Sequence, residues 1–223
     1  MERVVRAPCH VVASSEGFQL AEQRHEAILL FGAPGSGKGT QGKILGTVPG
    51  FFHVSTGDVF RALDNNSELG AIFNEYSSRG ELVPDDVTIR IWRSHMQREE
   101  KADRYRRGRD IVLLDGIPRN VNQAALLDPE VDTLKVIHLT CSDESEMISR
   151  LRDRALKQGR SDDAREEVVR RRLEIYKEET QPVLDHYSKD LIAAVDALGA
   201  PVEVLARILE HLAPIQAPRF ESA

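Results

Sequence analysis

A chain of 223 residues, 41% apolar and 30% charged, has the length and composition of one soluble α/β domain with a well-buried core. Its net charge of −6 excludes a general nucleic-acid binder, which needs a basic footprint, and its longest apolar runs, such as AILLF, are too short to cross a bilayer. Two cysteines, Cys9 and Cys141, make neither a disulfide framework nor a zinc cluster; with an N-terminus lacking a continuous apolar stretch, they fit a reducing cytoplasm.

Residues 1–25 have no clean period and read as an N-terminal extension. AILLFG, from Ala27, is a short apolar run ending in glycine, hence a buried strand. Gly37 to Leu45 reads as a helix and FFHVS as a second strand. DVFRAL, LGAIFNEYSSRG and DDVTIRIWRSHMQREEKADRYRRG read as helices, the second closed by Gly80 and the third by Gly108. DIVLLDG and KVIHLTC are buried strands. DESEMISRLRDRALKQ and DDAREEVVRRRLEIYKEETQPVLDHY read as helices, with Val169, Leu173, Tyr176, Val183, Leu184 and Tyr187 on one apolar stripe of the latter. DLIAAVDA gives a last strand and PVEVLARILEHL a last helix with Pro201 near its start; the tail PIQAPRFESA reads as frayed. Strands alternating with helices imply a parallel sheet covered on both faces, with ligands at the carboxyl ends of the strands.

Gly32, Gly37 and Lys38 in GAPGSGKGT satisfy the G-x-x-x-x-G-K core of a phosphate loop, in the context that motif requires: after a strand and opening a helix. Glycines let the backbone turn its N–H groups toward phosphates, the helix N-terminus adds positive potential, and Lys38 brings a mobile full charge. Gly39 follows Lys38, so the usual Ser/Thr magnesium ligand is displaced to Thr40. That speaks against a GTPase switch or a motor ATPase.

Three further segments stand in order: STGDVFR (Ser55 to Arg61), RGELVPDDV (Arg79 to Val87) and LLDGIPRNVNQA (Leu113 to Ala124). With GAPGSGKGT before them and RLRDRALKQGRSDD and RRRLEIY after, they resemble the adenylate kinase family of nucleoside monophosphate kinases, from about Ala27 to Leu212. The resemblance implies an α/β, three-layer P-loop fold with a central parallel sheet. Residues 26–214 would form that domain, with a helical NMP-binding insertion at about 55–84 and a short lid at about 150–163, leaving 215–223 as a tail. It implies a monomer that transfers the terminal phosphoryl group of ATP to AMP, giving two ADP, with Mg²⁺.

Residue by residue, the resemblance gives Gly35, Ser36, Gly37, Lys38, Gly39 and Thr40 to the ATP phosphates and Arg150 to the donor adenine. Thr56 and Arg61 fall at positions for the AMP base and phosphate, Arg119 at the AMP phosphate and Gln123 at the adenine. Glu81, Leu82 and Val83 would close over the ribose and base, with Gly116 opposite. Arg154, Arg160 and Arg172 would reach in from the lid and its hinge, making Lys38, Arg119, Arg154, Arg160 and Arg172 the catalytic set. Asp58 and Asp115 would hold magnesium through water. One extra residue between Asp163 and Glu166 leaves Arg171 as an alternative to Arg172, although Leu173 and Tyr176 favour Arg172. Ile117 stands beside the AMP pocket where the family usually has Phe. Only five residues separate Arg154 from Arg160, the short-lid type without zinc.

The chemistry matches the inventory. A phosphate oxygen nucleophile is already ionised at neutral pH, so no general base is required; alignment and neutralisation of charge remain, and guanidiniums suit both. By composition alone, the arginine-rich stretch from Arg150 to Arg172 reads as a solvated helix face, because Asp153, Asp162, Asp163, Glu166 and Glu167 are interleaved. Arg152, Arg165, Arg170 and Arg171 keep that reading. A UMP/CMP kinase is the nearest alternative; those enzymes tend to have Ala at Thr56 and Asn at Gln123, and Asn120 points mildly their way. A non-catalytic nucleotide-binding regulator and a hydrolytic ATPase are the others.

Overall fold

The structure, a computed structural model, describes residues 23–158 and 165–221. Among these residues five strands, β1 (His25–Gly32), β2 (Phe51–Ser55), β3 (Ile111–Asp115), β4 (Val131–Thr140) and β5 (Ile192–Asp196), form one parallel sheet in the order β2-β3-β1-β4-β5. The apolar run at β1 occupies the centre because both its faces are covered. Ala27, Leu29 and Phe31 point into one core and Ile28 and Leu30 into the other, the two-residue alternation of a strand.

Among the described residues, eight α-helices surround the sheet: α1 (Lys38–Leu45), α2 (Thr56–Arg61), α3 (Glu68–Arg79), α4 (Asp85–Lys101), α5 (Val121–Leu127), α6 (Glu144–Gln158), α7 (Glu166–Ile175) and α8 (Pro201–Glu221). One face is covered by Ile89, Trp92 and Met96 of α4 and Ala124 and Leu127 of α5. The other is covered by Leu45 of α1 and Val204, Ile208 and Leu212 of α8. Helix, sheet and helix make three layers, the fold class expected from the sequence. A smaller cluster, Phe60, Val87 and Ile91 with Leu69 and Phe73, holds α2, α3 and the start of α4 together as a helical excursion.

Several boundaries differ from the sequence reading. The fourth helix ends at Lys101 and not at Gly108. The chain there turns through Asp103, whose φ is 52°, and sinks Tyr105, 1% exposed, into the core. Glu99 holds that turn by accepting two bonds from Arg104, 2.6 and 3.0 Å long. Strand β4 begins at Val131, before KVIHLTC, because β1 extends back to His25 to pair with it. Helix α5 is an additional element, started by Asn120, whose Oδ1 accepts from the Gln123 N–H. After Ile175 the long predicted helix changes pitch, through a π-helical turn at Tyr176–Thr180 and a 3₁₀ turn at Gln181–His186. The tail expected to fray is helical to Glu221 despite Pro214 and Pro218. Ile215 packs on the sheet core, Gln216 donates to the Pro49 carbonyl at 2.7 Å, and Arg219 bonds Glu26 at 2.8 and 3.1 Å. These contacts offset the backbone bonds that the prolines cannot make.

Candidate active site

A cleft of about 680 Å³ opens at the carboxyl ends of the strands, where ligands enter parallel sheets. Its floor is the loop from Gly32 to Lys38. Gly32 has φ 147°, and a Cβ there would lie 2.6 Å from both the Leu139 carbonyl oxygen and Ser36 Oγ, so only glycine permits the turn between β1 and α1. Gly35, Ser36, Gly37, Gly39 and Thr40 line the cleft with Lys38. Ser36 Oγ is buried and has no hydrogen-bond partner among the described residues. The Lys38 ammonium donates to the carbonyls of Gly32 at 2.6 Å and Ala33 at 3.0 Å. Burial lowers its pKa to about 8. Asp115 opposes that shift, and the guanidiniums of Arg119, Arg154 and Arg172 add to it. Three arginines from three different segments therefore face one lysine.

On the β2–β3 side, Ser55 caps α2 by accepting from the Asp58 N–H at 3.3 Å. This cap places Thr56 at the cleft wall, 4% exposed, with Oγ1 donating to the Asp115 carbonyl. Arg61, one turn on, bonds Asp58 at 2.7 Å, and Lys43 meets the same carboxylate at 3.3 Å. Glu81, Leu82 and Val83 form the outer wall after α3. Opposite them, Gly116 has φ 85°, and a Cβ there would meet Thr56 Oγ1 at 2.8 Å; a side chain would force the two walls apart. Arg119 Nε donates to the Gly116 carbonyl at 2.8 Å, and the Arg119 N–H donates to Gln123 Oε1 at 2.8 Å. Asp58 and Asp115 both line the cleft beside the phosphate loop.

On the opposite side, Arg150 and Arg154 of α6 and Arg172 of α7 line the cleft. Arg150 is braced by Glu146 at 2.9 Å and by the Ala197 carbonyl at 3.0 Å. Arg172 faces inward, whereas Arg171 is 46% exposed and paired with Glu174; the helix register thus separates the two neighbours. Gly80 lies under this helix, where a Cβ would sit 2.9 Å from the Val168 carbonyl and 3.1 Å from Arg172 Cγ. Arg165 also donates to the Ser78 carbonyl. The end of α3 and the start of α7 are thereby in contact. Arg160 and Cys9 lie outside the described residues.

One expectation changes. Ile117, expected beside the AMP pocket, is 2% exposed and packs into the sheet core, while Pro118 lines the cleft. Asn120, which pointed mildly to a pyrimidine kinase, caps α5 and bonds Asp85 at 2.9 Å. Sequence reasoning missed Lys43 and Asp85. Lys43 is one turn along α1 from Gly39, which is a usable signal; Asp85 has none beyond its place at a helix start.

The family model for adenylate kinase matches residues 30–192. The adenylate kinase of Thermus thermophilus is 41% identical over 189 residues, covering 82% of this chain and 95% of that protein. Those of Thermobifida fusca and Kocuria rhizophila are 40% and 39% identical over 191 residues, each match covering 83% of this chain and 97% of the relative. With a phosphate loop at the floor of the cleft and arginines on both sides of it, the chain belongs to the adenylate kinase family.

Proposed function

We propose that the chain catalyses the reversible, magnesium-dependent transfer of the terminal phosphoryl group from ATP to AMP, giving two ADP. The supporting observation is the convergence of Lys38, Arg119, Arg154 and Arg172 on one cleft. Two polyanions need such a cluster before they can approach each other, whereas a hydrolase needs a place for one.

In this reading the phosphate loop and Arg150 hold ATP. Thr56, Arg61, Arg119 and Gln123 hold AMP against Glu81–Val83, and residues 55–84 and 150–163 are the acceptor part and the lid. An AMP phosphate oxygen attacks the γ-phosphorus in line; the bond from that phosphorus to the β,γ-bridging oxygen breaks, and ADP leaves with the electron pair. No proton has to be removed from the nucleophile, so Lys38 and the arginines act by alignment and by neutralising the equatorial oxygens. The hard oxygens of Asp58 and Asp115 suit magnesium held through water, which when bound would neutralise the donor phosphates. The reading extends to a cytoplasmic monomer that uses no nucleic acid; no helix among the described residues is long and apolar enough to cross a membrane.

The test is a coupled assay of ADP formation from MgATP with AMP, CMP, UMP or GMP. A pyrimidine leaves Gln123 partly unpaired in a closed site, so kcat/KM should favour AMP by about a hundredfold or more, given roughly 1–3 kcal/mol for each buried group left without a partner. Equal use of CMP or UMP would move the chain to the pyrimidine kinases. Phosphate release without AMP would make it a hydrolase, and no ADP from any acceptor would leave a binding protein.

A further inference from the structure

One carboxylate behind the cleft wall holds three amides. Asp85 is the first residue of α4, directly after Val83 and Pro84. Its Oδ1 accepts from Asn120 Nδ2 at 2.9 Å and from Gln123 Nε2 at 2.8 Å, and its Oδ2 accepts from Asn122 Nδ2 at 2.7 Å. All three amides sit at the start of α5. Partial burial pushes the Asp85 carboxyl up, but the three donors push it down and prevail, so it lies below its ordinary value. At neutral pH it only accepts.

That property matters for Gln123, which lines the cleft with 1% of its surface exposed. A carboxamide turned by half a turn about its last bond exchanges oxygen and nitrogen at little steric cost. Here both ends are held by groups that cannot exchange roles. The backbone N–H of Arg119 only donates, and it meets Oε1; Asp85 only accepts, and it meets Nε2. The orientation of the amide follows from the chemistry of its partners. Gln123 keeps one N–H and one oxygen lone pair for a ligand, in a fixed spatial order.

We propose that Asp85 is a positioning residue that sets acceptor-base specificity: by fixing the Gln123 amide, it selects a 6-amino purine over a 6-oxo purine. The inference rests on Gln123 reading the acceptor base, as proposed above. The two purines present inverted patterns. Adenine offers an N6–H donor beside the N1 acceptor, and hypoxanthine an O6 acceptor beside an N1–H donor. An amide held one way matches one pattern and opposes the other; an amide free to turn discriminates weakly. In Asp85→Asn a single oxygen and an NH₂ replace two oxygens facing three donors, so the hold on the Nε2 end of Gln123 is weakened and the Arg119 N–H alone orders the amide.

The test is the ratio of kcat/KM for AMP to that for IMP at fixed MgATP, with melting temperature and ATP affinity as controls. A residue that merely joins α4 to α5 would alter both acceptors alike and leave the ratio unmoved. Asp85→Asn should lower the ratio by about tenfold or more. Asp85→Glu, which keeps a carboxylate, should restore most of it. Asn122→Ala, which removes an amide that does not touch Gln123, should leave it within about threefold of wild type. Should Asp85→Asn fail to fold, Asp85→Ser carries the same expectation. If Gln123→Leu collapses the ratio while the folded Asp85 variant leaves it at the wild-type value, Asp85 has no such role and the reading of Gln123 stands. If Gln123→Leu also leaves the ratio unmoved, both fall.

Discussion

The Lys38 ammonium lies 2.6 Å from the carbonyl oxygen of Gly32, the residue that opens its own loop. The charge is thus held at the turn between β1 and α1, over the floor where phosphates would bind. Lys38→Met keeps the length of the side chain and removes that charge. Turnover should fall by about two to three orders of magnitude, the usual cost of one preorganised charged donor, with an unchanged circular dichroism spectrum. Near-normal turnover by a folded variant would remove Lys38 from the catalytic set.

The lowered pKa of Lys38, about 8, makes ATP affinity depend on pH. Bound phosphates are opposite charges and raise this pKa. Below about pH 8 the ammonium is protonated with or without ligand, and affinity does not change through this group. Above it the empty enzyme must take up a proton to bind, so affinity should fall by up to about tenfold per pH unit until the pKa of the complex is reached. Calorimetry in buffers of different ionisation enthalpy should find little proton uptake near pH 7 and about one proton near pH 9. Lys38→Arg, always charged, should abolish the uptake; uptake that persists in that variant would assign the proton elsewhere.

The two adjacent arginines of α7 give a test of register. Arg172 lines the cleft and Arg171 pairs with Glu174 at the surface. In single-turnover assays Arg172→Ala should slow phosphoryl transfer by about a hundredfold or more. Arg171→Ala, which loses one exposed ion pair, should stay within about fivefold. The reverse order of damage would place the wrong arginine at the reacting phosphates.

Behind the phosphate loop, His53 of β2 fills a space that exists only because residue 42 is glycine; a Cβ on Gly42 would overlap the imidazole. Gly42→Ala should cost about 1–3 kcal/mol by overpacking, lowering the melting temperature by several degrees. His53→Ala in the same chain should recover part of the loss, and strictly additive losses in the two single variants and the double variant would show that the contact does not carry the effect.

The strands were legible because each is a compact apolar run, and the phosphate loop because its spacing is dictated by backbone geometry. Helix α5 was not, since seven residues give too little periodicity, and its capping Asn120 reads equally as part of a loop motif. The change of pitch after Ile175 leaves no mark, because YKEETQ is as good an α-helix as a π-helical turn. Arg172 could be preferred to Arg171 from the apolar stripe, yet which of them faces the cleft depends on how α7 docks. The bonds of Asp85 to Asn120, Asn122 and Gln123 span more than thirty residues, and no local pattern encodes them.

The strand order has a consequence for synthesis. β1 is the middle strand, yet its neighbours β3 and β4 begin only after roughly eighty further residues or more have been made. At ~5–20 residues per second on the ribosome, the segment AILLF emerges several seconds before either partner exists. During that interval it is an unpaired, strongly apolar edge. The excursion of α2 and α3, by contrast, emerges early and closes through short-range contacts. The central strand therefore waits for chain made later, and until then its apolar run is exposed to whatever binds apolar segments, a chaperone included.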